Sequence, residues 1–325
     1  MARKKIRLGL IGCGGNMQRA HVPRLVEDGR VELVGLVDTA EEPARLLMER
    51  WGSEIPLYMD HKALLKGETL DGVIISSPHS MHYEQARASL KAGLHVLIEK
   101  PLTTASRHAK SLIETARKAD RLLVVSYQRN FYPQHAYVRE LIAKGALGEI
   151  RGVVAYVTQR WAGRGWRGEP TLSGGGFFMD TGSHLVASAL WMTGLQPAQV
   201  HAFMDRRMQQ VDIDTALNIR FSNGALGSLH FTGSADRHDE RLAIQGDAGC
   251  VVFHLHQWGI REVLLNGEPL AVPARIKEQS PDASFLRWMR GGKGYEEADF
   301  ALQVARLTEA AYKSADLNRT VRVAR

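Results

Sequence analysis

The first 125 residues alternate short apolar runs with helical segments, and this alternation most constrains the fold. Runs such as Ile6–Ile11 and Gly72–Ile75 are almost continuously apolar, as expected for strands buried on both faces. Several helical segments between them end at a glycine, such as Gly52 or Gly93. Strands alternating with helices predict a doubly wound parallel sheet. The other predicted strands are 33–37, 95–98 and 122–125, and the predicted helices are 41–51, 83–92 and 105–119.

Beyond residue 126 the pattern changes to strands in series. A helix at 134–144, a long strand at 149–161 and a glycine-rich stretch before a helix at 183–192 come first. Strand-like segments follow at 199–207, 213–221, 225–233, 241–246, 250–255 and 261–265, with hairpin signals at Asn223-Gly224 and Asn266-Gly267. This order predicts an α+β domain with a mostly antiparallel sheet. The predicted domains are residues 1–125 and 126–325, with a last helix at 295–314 that can pack back on the first domain.

Composition excludes several classes of protein. The 325 residues are 44% hydrophobic and 24% charged, which argues against a disordered or fibrous chain and fits two domains. The net charge is +7, but basic and acidic residues are mixed throughout, so we expect no nucleic-acid partner. The two cysteines cannot form a disulfide framework, and no apolar run reaches the ~18 residues of a membrane span. These features predict a cytoplasmic protein without membrane partners.

A glycine-rich turn follows the first predicted strand and opens a helix. Gly12-x-Gly14 matches the start of a dinucleotide-binding turn, with Gly15 and Asn16 inside it and Met17 in place of the third glycine. Such turns also close strands that bind no ligand. Asp38 ends the second predicted strand, where a carboxylate accepts ribose hydroxyls and repels a 2′-phosphate. The pattern therefore favours NAD over NADP, and the alternative for Asp38 is a strand-end cap.

Two further motifs carry groups suited to proton transfer and charge stabilisation. Lys100 of Glu99-Lys100-Pro101 follows a strand, where ligands bind in open α/β sheets; the alternative is a solvated ion pair. Asp180 and His184 are four residues apart, so one helix face would carry both. A carboxylate beside an imidazole suits general base catalysis. The alternatives are a helix cap with a buried histidine, or a metal site, for which no third ligand has matching spacing.

In this order the three motifs resemble the Gfo/Idh/MocA family, the relatives of glucose–fructose oxidoreductase and inositol dehydrogenase. The resemblance covers nearly the whole chain, because residues 18–21, 77–78, 145–150, 174–176 and 311–314 are also similar to family members. It implies a Rossmann domain followed by an open-faced, mostly antiparallel sheet with helices on one side, and a nicotinamide between the two domains. It also implies a cis Lys100–Pro101 peptide bond.

The resemblance also implies roles for individual residues. Lys100, Asp180 and His184 become the catalytic set: His184 takes the hydroxyl proton, Asp180 orients it and Lys100 stabilises the alkoxide. The implied cofactor-binding residues are Gly12, Gly14, Gly15, Asn16, Met17, Asp38, Ser77, Pro78, His82, Glu99, Lys100 and Gln128. The candidate substrate residues are Arg129, Asn130, Arg160, Trp161, Trp166 and Arg167, although the arginines at 160, 164 and 167 equally suit a solvated loop.

The predicted function is an NAD-dependent dehydrogenase that transfers a hydride between a sugar, sugar acid or polyol and nicotinamide, with no metal. Two alternatives stay open: a glycosidase or lyase that oxidises its substrate transiently, and a non-catalytic NAD(H) sensor. Alternating residues along the strands 215–221 and 225–231 leave one sheet face free for a partner. Because relatives use this face between subunits, we expect a homo-dimer or homo-tetramer.

Overall fold

The computed structural model describes residues 5–257, 259–293, 295–296 and 298–324, and the chain divides into two compact units. The first unit comprises Met1–Thr103, Arg107–Ser126 and Gln279–Asp299, and the second comprises Thr104–Ser106, Tyr127–Glu278 and Phe300–Arg325. The first unit is therefore discontinuous in sequence. The return of Gln279–Asp299 to it has no counterpart in the sequence prediction, which ended the first domain at residue 125.

The described part of the first unit contains a six-stranded parallel sheet in the order β3-β2-β1-β4-β5-β6. This confirms the predicted doubly wound sheet, whose strand order reverses next to β1. Residues of β1 such as Leu8 and Leu10 have no exposed surface, because helices cover both faces. The strands are β1 Ile6–Ile11, β2 Val31–Val37, β3 Leu57–Tyr58, β4 Gly72–Ile75, β5 His95–Ile98 and β6 Leu123–Val125.

The helices of this unit alternate with its strands as predicted. They are α1 Val22–Asp28, α2 Glu41–Trp51, α3 His61–Gly67, α4 His82–Lys91, α5 Ser106–Ala119 and, from the returning segment, α9 Pro281–Met289. Helix α9, from the returning segment, was not predicted. Helix α3 was also not predicted, although Asp60 caps it by accepting from the backbone N–H groups of Lys62 and Ala63. Its brevity and the lack of a clear apolar period hid it in the sequence.

The described part of the second unit contains a nine-stranded sheet in the order β14-β13-β12-β11-β7-β10-β9-β8-β15. Strands β7 and β10 pair in parallel and the other pairs are antiparallel, so the mostly antiparallel prediction is confirmed. The strands are β7 Ile150–Arg160, β8 Pro197–Asp205, β9 Asp214–Phe221, β10 Leu226–Thr232, β11 Ser234–Gly246, β12 Cys250–His256, β13 Gly259–Leu265, β14 Glu268–Pro269 and β15 Val321–Arg322. Strand β11 starts earlier than the predicted residue 241, beyond a break in register between Ser234 and Asp239.

The helices of the second unit are α6 Pro133–Ala143, α7 Pro170–Ser173, α8 Ser183–Thr193 and α10 Asp299–Leu317. Helix α10 begins at Asp299, so the predicted start at residue 295 is wrong; Gly294 and Glu297 lie outside the described residues. Tyr295 instead belongs to the first unit, where its hydroxyl donates to the carbonyl of Leu123 at 3.3 Å. Periodicity alone could not distinguish a residue fixed by this contact from the first turn of a helix.

The two faces of the large sheet differ as the alternation predicted. On β9 and β10 the apolar set Leu217, Ile219, Phe221, Leu229 and Phe231 is buried. The opposite set, including Asn218, Arg220, Ser228 and His230, is exposed. Cross-strand register aligns Phe203, Ala216, His230, Tyr156 and Arg241 in one row on this open face.

Candidate active site

The glycine turn lies at the carboxyl end of β1. Gly12 has φ +86°, and a Cβ there would lie 2.7 Å from the backbone nitrogen of Ser77, so only glycine fits. A Cβ on Gly14 would meet nothing within 4 Å, so the turn is open above this position. Met17 begins a π-helical turn, Met17–His21, that leads into α1, and its side chain is fully buried. Backbone N–H groups at such a helix start can bind a pyrophosphate, and the open turn fits that group.

Arg19 contributes a cation to the same turn. A Cβ on Gly15 would lie 2.7 Å from the Nη1 atom of Arg19, so the guanidinium occupies the space that a side chain at Gly15 would take. Arg19 was not among the sequence-predicted site residues. Because its position depends on how the π-helical turn folds back over Gly15, spacing alone could not reveal it.

Asp38 follows β2 and ties it to the glycine turn. Its Oδ2 atom accepts from the backbone N–H of Cys13 at 2.8 Å, and its Oδ1 atom accepts from that of Ala40 at 3.0 Å. Burial, and to a lesser degree Asp38, raises the pKa of the Cys13 thiol to about 12, so this thiol stays protonated. The half-buried carboxylate thus caps the end of β2, as the alternative interpretation expected. Its oxygens can accept further hydrogen bonds, which suits ribose hydroxyls.

Ser77, Pro78 and His82 follow β4. His82 has no exposed surface, and its Nδ1 and Nε2 atoms lie 2.8 Å from the Pro101 carbonyl oxygen and 3.0 Å from the Ser77 carbonyl oxygen. Burial lowers the pKa of this imidazole. The predicted cofactor contact of His82 is therefore at odds with its buried ring, which instead joins the segments that follow β4 and β5. The Lys100–Pro101 bond is cis, as predicted.

Glu99 and Lys100 follow β5 at the same edge of the sheet. One Glu99 oxygen accepts from the backbone N–H of Lys100 at 3.2 Å, and the other lies 3.1 Å from Nε2 of His21. The first unit thus collects the glycine turn, Asp38, Ser77, Glu99 and Lys100 at the carboxyl ends of its strands, where ligands bind in open α/β sheets.

In the second unit, Asp180 lies in a π-helical turn, Phe178–Gly182, that leads directly into α8. The residue is 8% exposed, and its Oδ2 atom accepts from Nε1 of Trp161 at 3.1 Å and from Nε of Arg167 at 3.2 Å. The Arg167 guanidinium stacks 4.5 Å over the ring of Trp166. Three of the candidate substrate residues therefore cluster around Asp180.

His184 lies one residue inside α8 and is 5% exposed. The ring of Tyr127 meets it edge-on, with centroids 6.2 Å apart. The side chain of Gln128, a predicted cofactor residue, donates to the hydroxyl of Tyr132 at 3.1 Å. The structure thus places Asp180 and His184 at the start of one helix, on a segment whose π-helical turn the sequence spacing did not predict.

The remaining candidates differ in their surroundings. Arg129 is 4% exposed and forms a buried bidentate pair with Glu240, so its predicted substrate contact is at odds with the structure. Asn130 is 8% exposed, and its amide has no hydrogen-bond partner within the described ranges. The Arg160 side chain is 82% exposed and lies 3.9 Å from Asp236, which fits the solvated alternative.

Asp212 holds the segment that carries Asp180. Its Oδ1 atom accepts from the backbone N–H of Gly176 at 2.7 Å, and its Oδ2 atom accepts from that of Phe178 at 2.9 Å. The hydroxyl of Tyr312 donates to Oδ1 at 2.5 Å. A Cβ on Gly176 would lie 1.9 Å from the Asp212 carbonyl oxygen, which explains this glycine. The glycine-rich stretch was visible in the sequence, but its distant partners were not.

Neither a metal site nor a membrane-spanning helix is found in the part of the chain that the structure describes. No group of three or more His, Cys, Asp or Glu side chains among those residues could hold a metal ion. None of the described helices is both long and apolar enough to cross a bilayer.

Comparison with known proteins places both units in one family. Residues 6–127 match the model of an oxidoreductase family with an NAD-binding Rossmann fold, and residues 135–252 match the GFO/IDH/MocA C-terminal domain. The D-glucoside 3-dehydrogenase of Escherichia coli is 26% identical over 99% of this chain and 98% of that protein. The myo-inositol 2-dehydrogenase of Thermotoga maritima is 28% identical over 75% of this chain and 74% of that protein.

Among solved structures, the WlbA dehydrogenase of Bordetella pertussis, in complex with NADH and UDP-GlcNAcA, superposes with a TM-score of 0.86. It is 25% identical and aligns with 99% of this chain and all of that one. With both family models matched in sequence order, the chain belongs to the GFO/IDH/MocA family and is an NAD-binding oxidoreductase.

Proposed function

We propose that this chain is an NAD-dependent dehydrogenase that oxidises one hydroxyl of a sugar, sugar acid or polyol, reversibly. The observation that carries the proposal is the buried Asp180 carboxylate at the start of the helix that carries His184. A binding protein has no need of a carboxylate and an imidazole at one helix start. The names of the relatives above, a glucoside dehydrogenase and an inositol dehydrogenase, support this substrate class.

The proposed catalytic residues are Lys100, Asp180 and His184. When bound, NAD supplies a nicotinamide ring that exchanges a hydride with the substrate carbon. His184 takes the hydroxyl proton as general base, and Asp180 stabilises the resulting positive charge. Lys100 stabilises the negative charge that develops on the substrate oxygen. Trp161 and Arg167 donate to Asp180, and so fix the carboxylate.

The proposed cofactor residues are those of the first unit. The N–H groups of the Gly12–Met17 turn hold the pyrophosphate, with the Arg19 guanidinium beside them. Asp38 accepts the adenosine ribose hydroxyls and disfavours the 2′-phosphate of NADP. Asn130, Trp166 and Arg167 are the proposed substrate residues, since aromatic faces and paired donors suit sugar rings and hydroxyls.

The proposed assembly is a homo-dimer or homo-tetramer joined through the open sheet face. Phe203, Leu226 and Val154 support it, because these apolar residues of that face are 60%, 57% and 46% exposed. Light scattering should give a mass that is a multiple of 36.1 kDa, and Phe203→Asp should lower it. We also propose a cytoplasmic location, which the free thiols Cys13 and Cys250 support.

The test is turnover of the full chain with NAD or NADP against methyl D-glucosides, myo-inositol and related polyols. We expect NADH to accumulate and NAD to bind at least about tenfold more tightly than NADP. His184→Ala and Lys100→Ala should each lower the rate by about 10²–10⁴, with NAD affinity within a few-fold. The double variant should lose much less than the product, since groups acting as a unit are not additive.

Lys66→Ala, at an exposed lysine of α3, is the matched control and should keep the wild-type rate. Near-normal turnover of His184→Ala would show that the base is assigned wrongly. Substrate consumption without NADH accumulation would instead indicate transient oxidation.

A further inference from the structure

His21 lies between two carboxylates in the first unit and has no exposed surface. Its Nδ1 atom lies 2.6 Å from Oδ1 of Asp282, and its Nε2 atom lies 3.1 Å from Oε1 of Glu99. A neutral imidazole carries one N–H, so it could donate to only one of them. With an ionised carboxylate at each nitrogen, the ring must carry both protons. Burial by itself lowers the pKa of His21, but Asp282 and Glu99 outweigh burial and raise this pKa to about 10.

Asp282 comes from the returning segment, in the first turn of α9. Its side chain is 1% exposed, and its second oxygen accepts from Nη1 of Arg24 at 3.0 Å. Ser280 caps α9 by accepting from the backbone N–H of Ala283 at 3.1 Å, and a carboxylate in the first helical turn is favoured by the helix dipole. Asp282 is therefore fixed on its own helix, and it fixes the His21 ring.

Glu99 is the second partner of His21 and the neighbour of Lys100. Burial by itself would raise its pKa, but His21, Lys100 and Ser126 hold the pKa of this carboxyl at about 2. One oxygen faces His21 and the other accepts from the Lys100 backbone N–H. His21 is thus connected to the Lys100 backbone through the Glu99 side chain and two hydrogen bonds.

The charges in this cluster are nearly balanced. Arg24 and His21 are cationic, Asp282 and Glu99 are anionic, and the Lys100 ammonium is the remaining cation. The neutral ring of His82 also lies within electrostatic range of Glu99 and Lys100.

We propose that His21, oriented by Asp282, is a positioning residue for Lys100. It keeps Glu99 ionised and fixed against the Lys100 backbone N–H, so that Lys100 is held where it stabilises the negative charge on the substrate oxygen. The proposal rests on the proposed function for the role of Lys100. The contacts themselves lie wholly within the first unit.

The first test is NMR of the full chain and needs no substrate. The ring nitrogens of His21, assigned by their loss in His21→Gln, should both be protonated from pH 5 to 9. The backbone amide proton of Lys100 should be far downfield and independent of pH over this range, since it donates to a carboxylate. In His21→Gln the same amide should titrate, because Glu99 loses the hydrogen bond and positive charge of His21 and the pKa of its carboxyl rises into this range.

The second test is the pH dependence of turnover on whichever compound of the panel is oxidised. His21→Gln should lower kcat by about 10–100-fold with little change in KM, because the misplaced group acts in the transition state. It should also add to the kcat profile an acidic limb beyond the one that the His184 general base gives the wild-type chain. Glu99→Gln introduced into His21→Gln should remove that limb, since no buried carboxylate is left to titrate.

Leu25→Ala is the matched control, on helix α1, which begins directly after His21, and it is fully buried in the core. It should lower the midpoint of thermal unfolding, because it leaves a cavity, without adding a limb or making the Lys100 amide titrate. A His21 ring that titrates near pH 6.5, or a Lys100 amide in His21→Gln that stays independent of pH, would overturn the proposal. If the wild-type chain oxidises nothing in the panel, the proposed function fails, and the Lys100 amide still decides the positioning role.

Discussion

Two histidines of this chain are equally inaccessible to solvent, and their surroundings give them opposite charge states. His21 in the first unit faces two carboxylates, which raise its pKa to about 10. His135 in α6 of the second unit packs 4.6 Å from the ring of Phe253, and neither of its nitrogens has a hydrogen-bond partner among the described residues. Burial, and secondarily Arg129, lowers its pKa to about 3. Burial alone therefore does not decide the charge of a histidine; the groups that face its nitrogens do.

The largest expected difference between the two histidines is the loss of stability when each is replaced by phenylalanine, an apolar ring of similar size. His21→Phe leaves Asp282 and Glu99 buried without their shared cation, so the free energy of unfolding should fall by about 3–5 kcal/mol. His135→Phe removes a ring whose nitrogens are unsatisfied and keeps its packing, so the change should stay below about 1 kcal/mol. Urea unfolding at pH 7 measures both. Equal losses in the two variants would mean that the charge of His21 does not matter.

The next largest effect concerns how the free energy of unfolding depends on pH. The two histidines contribute slopes of opposite sign, each at most about 1.4 kcal/mol per pH unit. Native His135 stays neutral while the unfolded chain takes up its proton, so stability falls as the pH drops from about 6.5 towards about 3. Native His21 keeps its proton while the unfolded chain releases it, so stability falls as the pH rises from about 6.5 through about 10. His135→Phe should flatten only the acid slope, and His21→Phe should flatten the alkaline one. The measurement is the free energy of unfolding of the wild-type chain and both variants across this pH range. A variant that keeps the slope it should lose would show that the slope was assigned to the wrong residue.

The smallest expected effect concerns Arg24, which reaches the same cluster from its solvent side. Its side chain is 26% exposed, whereas that of Asp282 is 1% exposed. Arg24→Gln should lower the free energy of unfolding by about 0.2–1 kcal/mol, because water can replace part of a partly exposed pair. A loss as large as that of His21→Phe would show that Arg24, and not His21, compensates Asp282. Thermal unfolding of the three variants side by side distinguishes these outcomes.

The sequence predicted most of the framework, because the framework is encoded locally. The apolar runs of β1, β4 and β5 were predicted to the residue, and the Gly12 turn shows its requirement for glycine in its own φ angle. The partners that hold the site residues were not predicted. Asp282 lies 261 residues from His21, and Tyr312 lies 100 residues from Asp212. A single sequence carries no periodic signal for contacts between such distant residues.

Arg129 shows the opposite error. Its place beside Gln128 and Asn130 at the start of the second predicted domain suggested a substrate contact. The structure instead buries its guanidinium against Glu240, 111 residues later. Residue type and local neighbours could not separate an arginine that meets a ligand from one that neutralises a buried carboxylate.

The discontinuity of the first unit has a consequence for synthesis on the ribosome. At roughly 5–20 residues per second, Asp282 is translated on the order of 10–50 s after His21. Once β6 has been translated, the nascent chain holds all six strands of the first sheet, but His21 and Glu99 still lack α9. The first unit can therefore reach its final form only after nearly the whole of the second has been translated, and a chain cut after Ser126 would retain His21 without its closest anionic partner.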